Sequence, residues 1–358
     1  MPSLKEIKGR INSISSTLAI TSAMKMVAAA KLQKAQMAIQ NMLPYERRLY
    51  SMLVDLMGAM NISAAASEDG SVRGSGSAER GFDQSGDRLS LSNRHDLAGM
   101  DGAYSLMAQR EVRKVAIVAF ASNSSLCGAF NSNAIREATA VINEYRASGL
   151  RDSDIVVYSV GRKMAEAMRK LGFPSPADFT KMSDSPSYEA ASALAQELLD
   201  GFVSGRFDKV ELVYNHYKST SSQPTTRQTY LPLSLADATA DIQAGKIADS
   251  ASESDTNRGA EPVGAPVVRQ GSPTTEDLIV EPSKEALIAT LLPKVIRLRI
   301  FTTLLDSAAA EHAARTVAMQ LATDNGNDLL QELTLEYNKG RQQKITSEIL
   351  DLVGGSMQ

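Results

Sequence analysis

Apolar residues recur alternately three and four apart from the start of the chain: Leu4, Ile7, Ile11, Ile14, Leu18, Thr21, Lys25, Ala28, Leu32, Ala35, Ile39 and Met42, ten of these twelve being apolar. A 3.5-residue period held this long does not stay on one side of a straight helix, so it predicts left-handed supercoiling around a partner helix. No proline falls between Pro2 and Pro44 and no glycine between Gly9 and Gly58. Some 50 residues of helix make a rod of roughly 75 Å. The other end of the chain reads the same way from about Lys294 to Val353, with Gly354-Gly355 as the stop. Seven of the fifteen residues from Ala308 to Ala322 are alanine, which lets two backbones approach closely. Leu329, Leu330, Leu333, Tyr337, Ile345, Ile349 and Leu352 follow, spread more widely than a strict seam. Two long helices at opposite ends of one chain most simply pair as an antiparallel coiled coil. Gly326 and Gly340 lie inside the second helix, where each costs about 1 kcal/mol relative to alanine, so close approach or bending is expected there. Pro293 is expected to kink or restart a helix that begins near Ser283.

Between these helices the period changes. Val112–Phe120 (VRKVAIVAF), with a β-branched, apolar run from Val115 onward, is read as a strand buried on both faces. Residues 131–147, 162–171 and 187–203 read as helices, 154–160 and 208–217 as strands, and 227–233 as a fourth strand. Alternating strands and helices imply a mostly parallel sheet covered by helices. The expected fold class is therefore α/β: an antiparallel coiled coil of the N- and C-terminal helices plus a central, mostly parallel sheet domain. Two stretches interrupt it. Residues 61–110 are rich in Gly, Ser, Asp, Asn and Glu, and residues 236–276 have Ile242, Ile247, Val263, Val267 and Val268 as their large aliphatics. Both read as flexible insertions with too little apolar surface to order themselves. The expected organisation is a coiled-coil helix over 1–60, an insertion over 61–110, the α/β domain over 111–235, a second insertion over 236–276 and the other coiled-coil helix over 277–358.

Composition narrows the function. With 358 residues and 43% hydrophobic content the chain can bury a core, and a formal net charge of −3 argues against wholesale nucleic-acid binding. The longest purely apolar run, Val115 to Ala121, is far too short to cross a membrane. The single cysteine, Cys127, excludes an intrachain disulfide and a cysteine zinc cage, and His95, His216 and His312 lie too far apart for a local metal motif. Charge is uneven: the first 50 residues carry eight basic side chains against two acidic ones, which leaves nine net negatives on the rest. A basic end on an acidic chain points to an acidic partner, a membrane surface or a targeting segment. A transit peptide would also be basic, serine-rich and acid-poor, but the heptads run longer than a presequence needs. Lys25, on the apolar seam, reads either as a snorkelling lysine or as a sign that the helix faces a second partner there.

Open α/β sheets often bind nucleotides at their strand ends, so the loops decide between an enzyme with a coiled-coil arm and a non-catalytic coiled-coil scaffold. Tyr158-Ser-Val-Gly-Arg-Lys has a glycine after a strand, but neither GxxxxGK[ST] nor GxGxxG occurs. Ser122-Asn-Ser-Ser-Leu-Cys127-Gly-Ala is a polar loop with no motif to supply the base a catalytic cysteine needs; Cys127 reads as a packing residue.

Several segments carry a family resemblance: Lys5-Glu-Ile-Lys-Gly-Arg-Ile, Ile20-Thr-Ser-Ala-Met-Lys-Met-Val-Ala-Ala-Ala-Lys-Leu, Glu311-His-Ala-Ala-Arg-Thr-Val-Ala-Met, Ala322-Thr-Asp-Asn-Gly-Asn, Tyr337-Asn-Lys-Gly-Arg-Gln and Ile345-Thr-Ser-Glu-Ile-Leu-Asp. Over roughly 1–60, 111–235 and 277–358 the chain resembles the gamma subunit of F-type ATP synthases, the central rotor shaft. Asn123-Ser-Ser-Leu-Cys-Gly-Ala departs from the more usual Asp-Arg-Gly-Leu-Cys-Gly-Gly, Ser356 stands where alanine is usual, and a lone Cys127 lacks the dithiol of light-regulated chloroplast members. The resemblance implies a non-catalytic rotating stalk that couples proton flow to ATP synthesis, with no cofactor and no metal. It implies one copy per complex, the alpha, beta and epsilon subunits and the membrane c-ring as partners, no nucleic acid, no insertion into the bilayer, and a place on the cytoplasmic face of a bacterial inner membrane. It further implies that Met24, Lys25, Arg315, Gln342, Thr346 and Glu348 meet the catch loops of the catalytic subunits, and that Glu281, in Val280-Glu-Pro, meets the membrane ring.

Overall fold

The structure is a computed structural model that describes residues 3–68, 106, 110–233, 281 and 283–355. Helix α1 (Leu4–Glu68) and helix α6 (Lys284–Gly355) run 65 and 72 residues, about 100 Å each at 1.5 Å per residue. They pair antiparallel. Leu4 lies against Gly340 and Leu18 against Gly326, Thr21 bonds Thr323 and Lys25 bonds Gln320, and far down the pair Tyr50 meets Val295 and Arg299. The heptad reading holds along α1: all twelve seam positions from Leu4 to Met42 are buried or half-buried, while most residues between them are exposed.

Small side chains set the spacing. A Cβ built on Gly326 would come within 2.6 Å of Leu18 Cδ2, and one on Gly340 within 3.2 Å of Leu4 Cδ2. Both glycines thus serve the close approach that their helix-interior positions implied. Ala309 and Ala313, fully buried, receive Leu32. The helices absorb their prolines without ending. Pro44 leaves the carbonyl of Gln40 without its usual partner, yet both residues are exposed and α1 continues. Pro293 does not restart α6, which is one helix from Lys284. Ile288, Leu292 and Ile296, on either side of Pro293, pack into the main core.

The central domain contains strands β1 (Val115–Phe120), β2 (Ile155–Val160), β3 (Lys209–Asn215) and β4 (Thr225–Leu231). Their order is β2-β1-β3-β4; β1 is parallel to both neighbours and β4 is antiparallel to β3. The strand boundaries expected at Val112, Asp154 and His216-Tyr217 each shrink by one to three residues, and β4 begins two earlier. Helices α2 (Phe130–Ala147) and α3 (Arg162–Lys170) follow β1 and β2. The short helix α4 (Thr180–Asp184), which the pattern did not announce, precedes α5 (Tyr188–Val203). The Ser187 side chain caps α5 by accepting from the Ala190 N–H at 3.3 Å.

Strand β1 explains its own unbroken hydrophobicity. Ala116, Val118 and Phe120 enter a core with Leu194, Leu198 and the base of α1 and α6, while Val115, Ile117 and Ala119 enter a second core under α2 and α3. A strand covered on both faces has no polar side to alternate with. The shaft therefore serves as one of the two helical layers, and Tyr230 fixes it by donating to the Ile296 carbonyl at 2.9 Å. On β3, fully buried Glu211 accepts from Tyr145 at 2.6 Å, Lys209 at 2.7 Å and Arg227 at 2.7 and 3.0 Å. Burial raises its pKa, but the two cations and the phenol together hold the carboxylate below its ordinary value.

Of the first expected insertion, residues 61–68 continue α1, Leu106 packs in the main core with its carbonyl accepting from Leu233 N–H, and Arg110 donates to the Phe202 carbonyl. Its remaining residues and all of 236–276 lie outside the described residues.

The spacing of the seam gives a paired expectation. Gly9→Ala, with nothing within 4 Å of the added methyl, should stabilise the chain by about 0.5–1 kcal/mol through helix propensity. Gly326→Val must displace Leu18 and should destabilise it by about 1–3 kcal/mol. Urea unfolding of the two variants against the parent chain measures both.

Candidate functional site

In a parallel sheet the ligand crevice lies beyond the carboxyl ends of the strands. Here α6 fills it. The ends of β1 and β2 (Phe120, Ala121, Val160) face Leu304, Ser307, Ala308 and Glu311 of the shaft and Ser183 of α4, and the remaining void is about 10 Å³. That is room for about one water. Gly161, which follows β2 where a phosphate loop would stand, has a packing role: its φ is +99°, and a Cβ there would lie 2.0 Å from the Ala121 carbonyl oxygen. Asn123 caps the following helix, accepting from Arg162 N–H at 2.7 Å, so these backbone donors already serve the protein. Cys127 is 1% exposed and packs with Phe130 and Ala310, as a packing residue does.

Beside this filled crevice the shaft carries buried charge. Glu311 and Arg315 pair at 2.8 Å with side chains 10% and 11% exposed. Arg315 also donates to Ser124 Oγ at 2.8 Å, so a residue of the divergent loop ties β1 to the shaft. Burial raises the Glu311 pKa while Arg315 opposes it. The neighbouring His312 has a buried Nδ1 with no hydrogen-bond partner. Burial, with Arg315 and Lys31 close by, pushes its pKa down to about 4.

The residues singled out in the sequence fall into three places. Gln342, Thr346 and Glu348 are exposed together on α6 beyond Gly340, which faces the first residue of α1, Leu4. Thr346 donates to the Gln342 carbonyl and Glu348 pairs loosely with Lys344 at 3.8 Å. Met24 and Lys25 are half-buried in mid-shaft. Lys25 neither snorkels freely nor points only outward: its amine donates to Gln320 Oε1 at 2.7 Å, and Gln320 donates to Asp324. Arg315 is the side chain already described. Glu281 is exposed just before α6, roughly 90 Å of helix away from Gln342. Sequence reasoning missed Asp306, which accepts from His216 Nδ1 at 2.6 Å and Tyr217 N–H at 2.9 Å, and Gln36, which donates to Tyr217 at 2.6 Å. An aspartate within the apolar run Leu304-Leu-Asp-Ser-Ala-Ala-Ala was the one available signal.

A two-helix shaft braced by an α/β domain, with its own helix lying across the carboxyl ends of β1 and β2, defines a protein built to present a rod. Comparison with known proteins gives its kin. The family model described as ATP synthase matches residues 3–357. An ATP synthase gamma chain of Phocaeicola vulgatus is 46% identical, and one of Bacteroides thetaiotaomicron 44%, each over the full length of both chains. Among solved structures, a chain of the Euglena gracilis mitochondrial ATP synthase (OSCP, F1 and c-ring) aligns with a TM-score of 0.54 at 18% identity, covering 99% of this chain and 93% of that one. The chain belongs to the ATP synthase gamma-chain family and is a non-catalytic subunit.

His312 yields a test of the buried charge. Because the folded pKa lies below that of the unfolded chain, the unfolded state binds the extra proton between about pH 6.5 and pH 4. Its contribution to stability therefore falls as pH drops through that window, by no more than about 1.4 kcal/mol per pH unit. Glu311, shifted upward, acts in the opposite sense, so the difference between the parent and His312→Gln is the quantity to follow. Denaturation curves at pH 7, 6 and 5 should show the parent losing stability relative to the variant.

Proposed function

We propose that the chain is the rotating central stalk of a bacterial F-type ATP synthase, turning inside the ring of alpha and beta subunits and carrying torque from the membrane ring. The observation that carries this reading is the overhang of α6. The paired seam ends at Leu4 and Gly340, and α6 continues to Gly355 as a single helix. That tip exposes Ile345, Ile349, Leu350, Leu352 and Val353, the last four each more than half exposed. A helix of roughly 20 Å that exposes these apolar side chains among polar ones suits a sleeve made by other chains. The α/β domain lies at the opposite end of the paired region, as a foot. A static scaffold would share the coiled coil, but family membership favours the rotor.

The partners follow: the alpha and beta subunits around the upper shaft, the epsilon subunit and c-ring at the foot, one copy per complex, on the cytoplasmic face of the inner membrane. Among the described residues no helix is long and apolar enough to cross a membrane, which is consistent with peripheral attachment. Catch-loop contacts are assigned first to Gln342, Thr346 and Glu348, which are exposed and lightly engaged. Met24 adds a half-buried apolar contact. Lys25 and Arg315 can join only by giving up Gln320, and Glu311 with Ser124. Glu281 is assigned to the ring contact on its place beside the foot. Exposed polar pairs contribute about 0–1 kcal/mol each, so torque comes from shape and many contacts together. The 236–276 stretch remains open to a ratchet or inhibitory role; its deletion without change in ATPase rate would argue for mere tolerance.

Reconstitution with the alpha and beta subunits tests the reading: one copy should enter a six-subunit ring and raise its ATPase. Gln342→Ala with Thr346→Ala should leave the chain folded and assembled but cut ATP-driven proton pumping several-fold; unchanged pumping removes those two from the catch-loop set. Arg315→Ala should instead cost about 3–5 kcal/mol of stability by leaving Glu311 buried and unpaired, read out by denaturation.

A further inference from the structure

The rotor reading requires that torque reaching the foot pass into the shaft, and the seam alone is poorly made for that. Directional bonds cross it at Thr21–Thr323, Lys25–Gln320, Tyr50–Arg299 and Glu46–Thr302, but most of its contacts are aliphatic and small, as with Leu32 on Ala309 and Ala313 and Leu18 on Gly326. Such contacts resist separation better than sliding, because dispersion and hydrophobic burial have little direction. The main core already packs on both helices, through Leu53 and Leu56 of α1 and Ile296 and Ile300 of α6, but by the same undirected burial.

One residue holds both. Tyr217 follows β3, next to the carboxyl end of the sheet. Its backbone N–H donates to Asp306 Oδ1 of α6 at 2.9 Å, and its hydroxyl accepts from Gln36 Nε2 of α1 at 2.6 Å. Its ring packs beside Leu32, Ala309 and Ala313 in the seam, and also against the cluster of Phe130 and Ala310. The second carboxylate oxygen of Asp306 takes His216 Nδ1 at 2.6 Å, so the aspartate is held by two consecutive residues of the strand end. The bracket thus joins sheet, α6 and α1 by directional bonds close to where the shaft leaves the domain. Above it the loop after β1 adds Arg315 to Ser124 at 2.8 Å, and that tie reaches α6 alone.

We propose that Tyr217, seated on Asp306 and Gln36, is the torsional key of the rotor: a positioning residue that fixes the angle of both shaft helices relative to the α/β domain. The inference rests on the rotor reading, and the test separates the two. In the reconstituted complex, with the shaft held by the stalled ring, the angular fluctuations of a bead fixed to the α/β domain report the torsional stiffness between them. Asp306→Ala combined with Tyr217→Phe should widen the angular variance at least two-fold while unloaded ATPase stays within two-fold of the parent. Tyr217→Phe alone, which keeps the ring and deletes the bond to Gln36 together with a long local contact to Thr220 Oγ1 at 3.4 Å, should widen it by about half and guards against failure of the double variant to fold. A purely structural role would lower assembly yield and leave the variance of assembled molecules unchanged, and that result overturns the proposal. A parent chain that neither assembles nor stimulates ATPase would count against the rotor reading instead.

Discussion

Everything in this molecule depends on how closely α1 and α6 can approach. The sheet domain has no complete core without the shaft: Ile288, Leu292, Ile296, Ile300 and Leu304 of α6 and Leu53 and Leu56 of α1 pack on Ala116, Val118 and Phe120. That places both helices as a covering layer, which is possible only if their mutual contact stays thin. Alanine at 309 and 313, glycine at 326 and 340 and the small Ala28 keep it thin. The local penalty of glycine in a helix is modest beside what a bulky residue would displace at Leu18.

The same packing closes the crevice at the ends of β1 and β2 where folds of this kind often take a ligand. Nothing in the strand order forbids a ligand; β1 has parallel neighbours on both sides, the arrangement that opens a crevice. The shaft lies across that opening with Leu304, Ser307, Ala308 and Glu311. Polar groups trapped beneath it are largely matched, Glu311 by Arg315 and Asp306 by His216 and Tyr217. The unmatched Nδ1 of His312 is what remains when a polar ring is packed at a helix interface.

Much of this was legible in the residues. The 3.5-residue period named the seam position by position, and the unbroken run at β1 foretold a strand covered on both faces. What periodicity does not encode is which polar side chains meet across long sequence distances. Lys25 reads as an anomaly until Gln320, nearly three hundred residues away, supplies its acceptor. Arg315 looks like a free basic contact until Glu311 and Ser124 close around it. Pro293 reads as a kink or restart by a local rule, and the helix does not restart there: it runs unbroken from Lys284, with Ile288 and Leu292 packed in the core. Helix α4 was missed because five residues are too few to show a period.

The lone tip of α6 has an electrical consequence. Where two helices run antiparallel their backbone dipoles oppose each other, but among the described residues α1 starts at Leu4, beside Gly340, and α6 runs on past it. The last turn carries no basic side chain, so the closing carbonyls present about half an elementary negative charge with nothing on the helix to offset it. Any socket that takes this tip must therefore offer N–H donors or positive potential at its far end. A wall that is merely greasy would strand those carbonyls away from water.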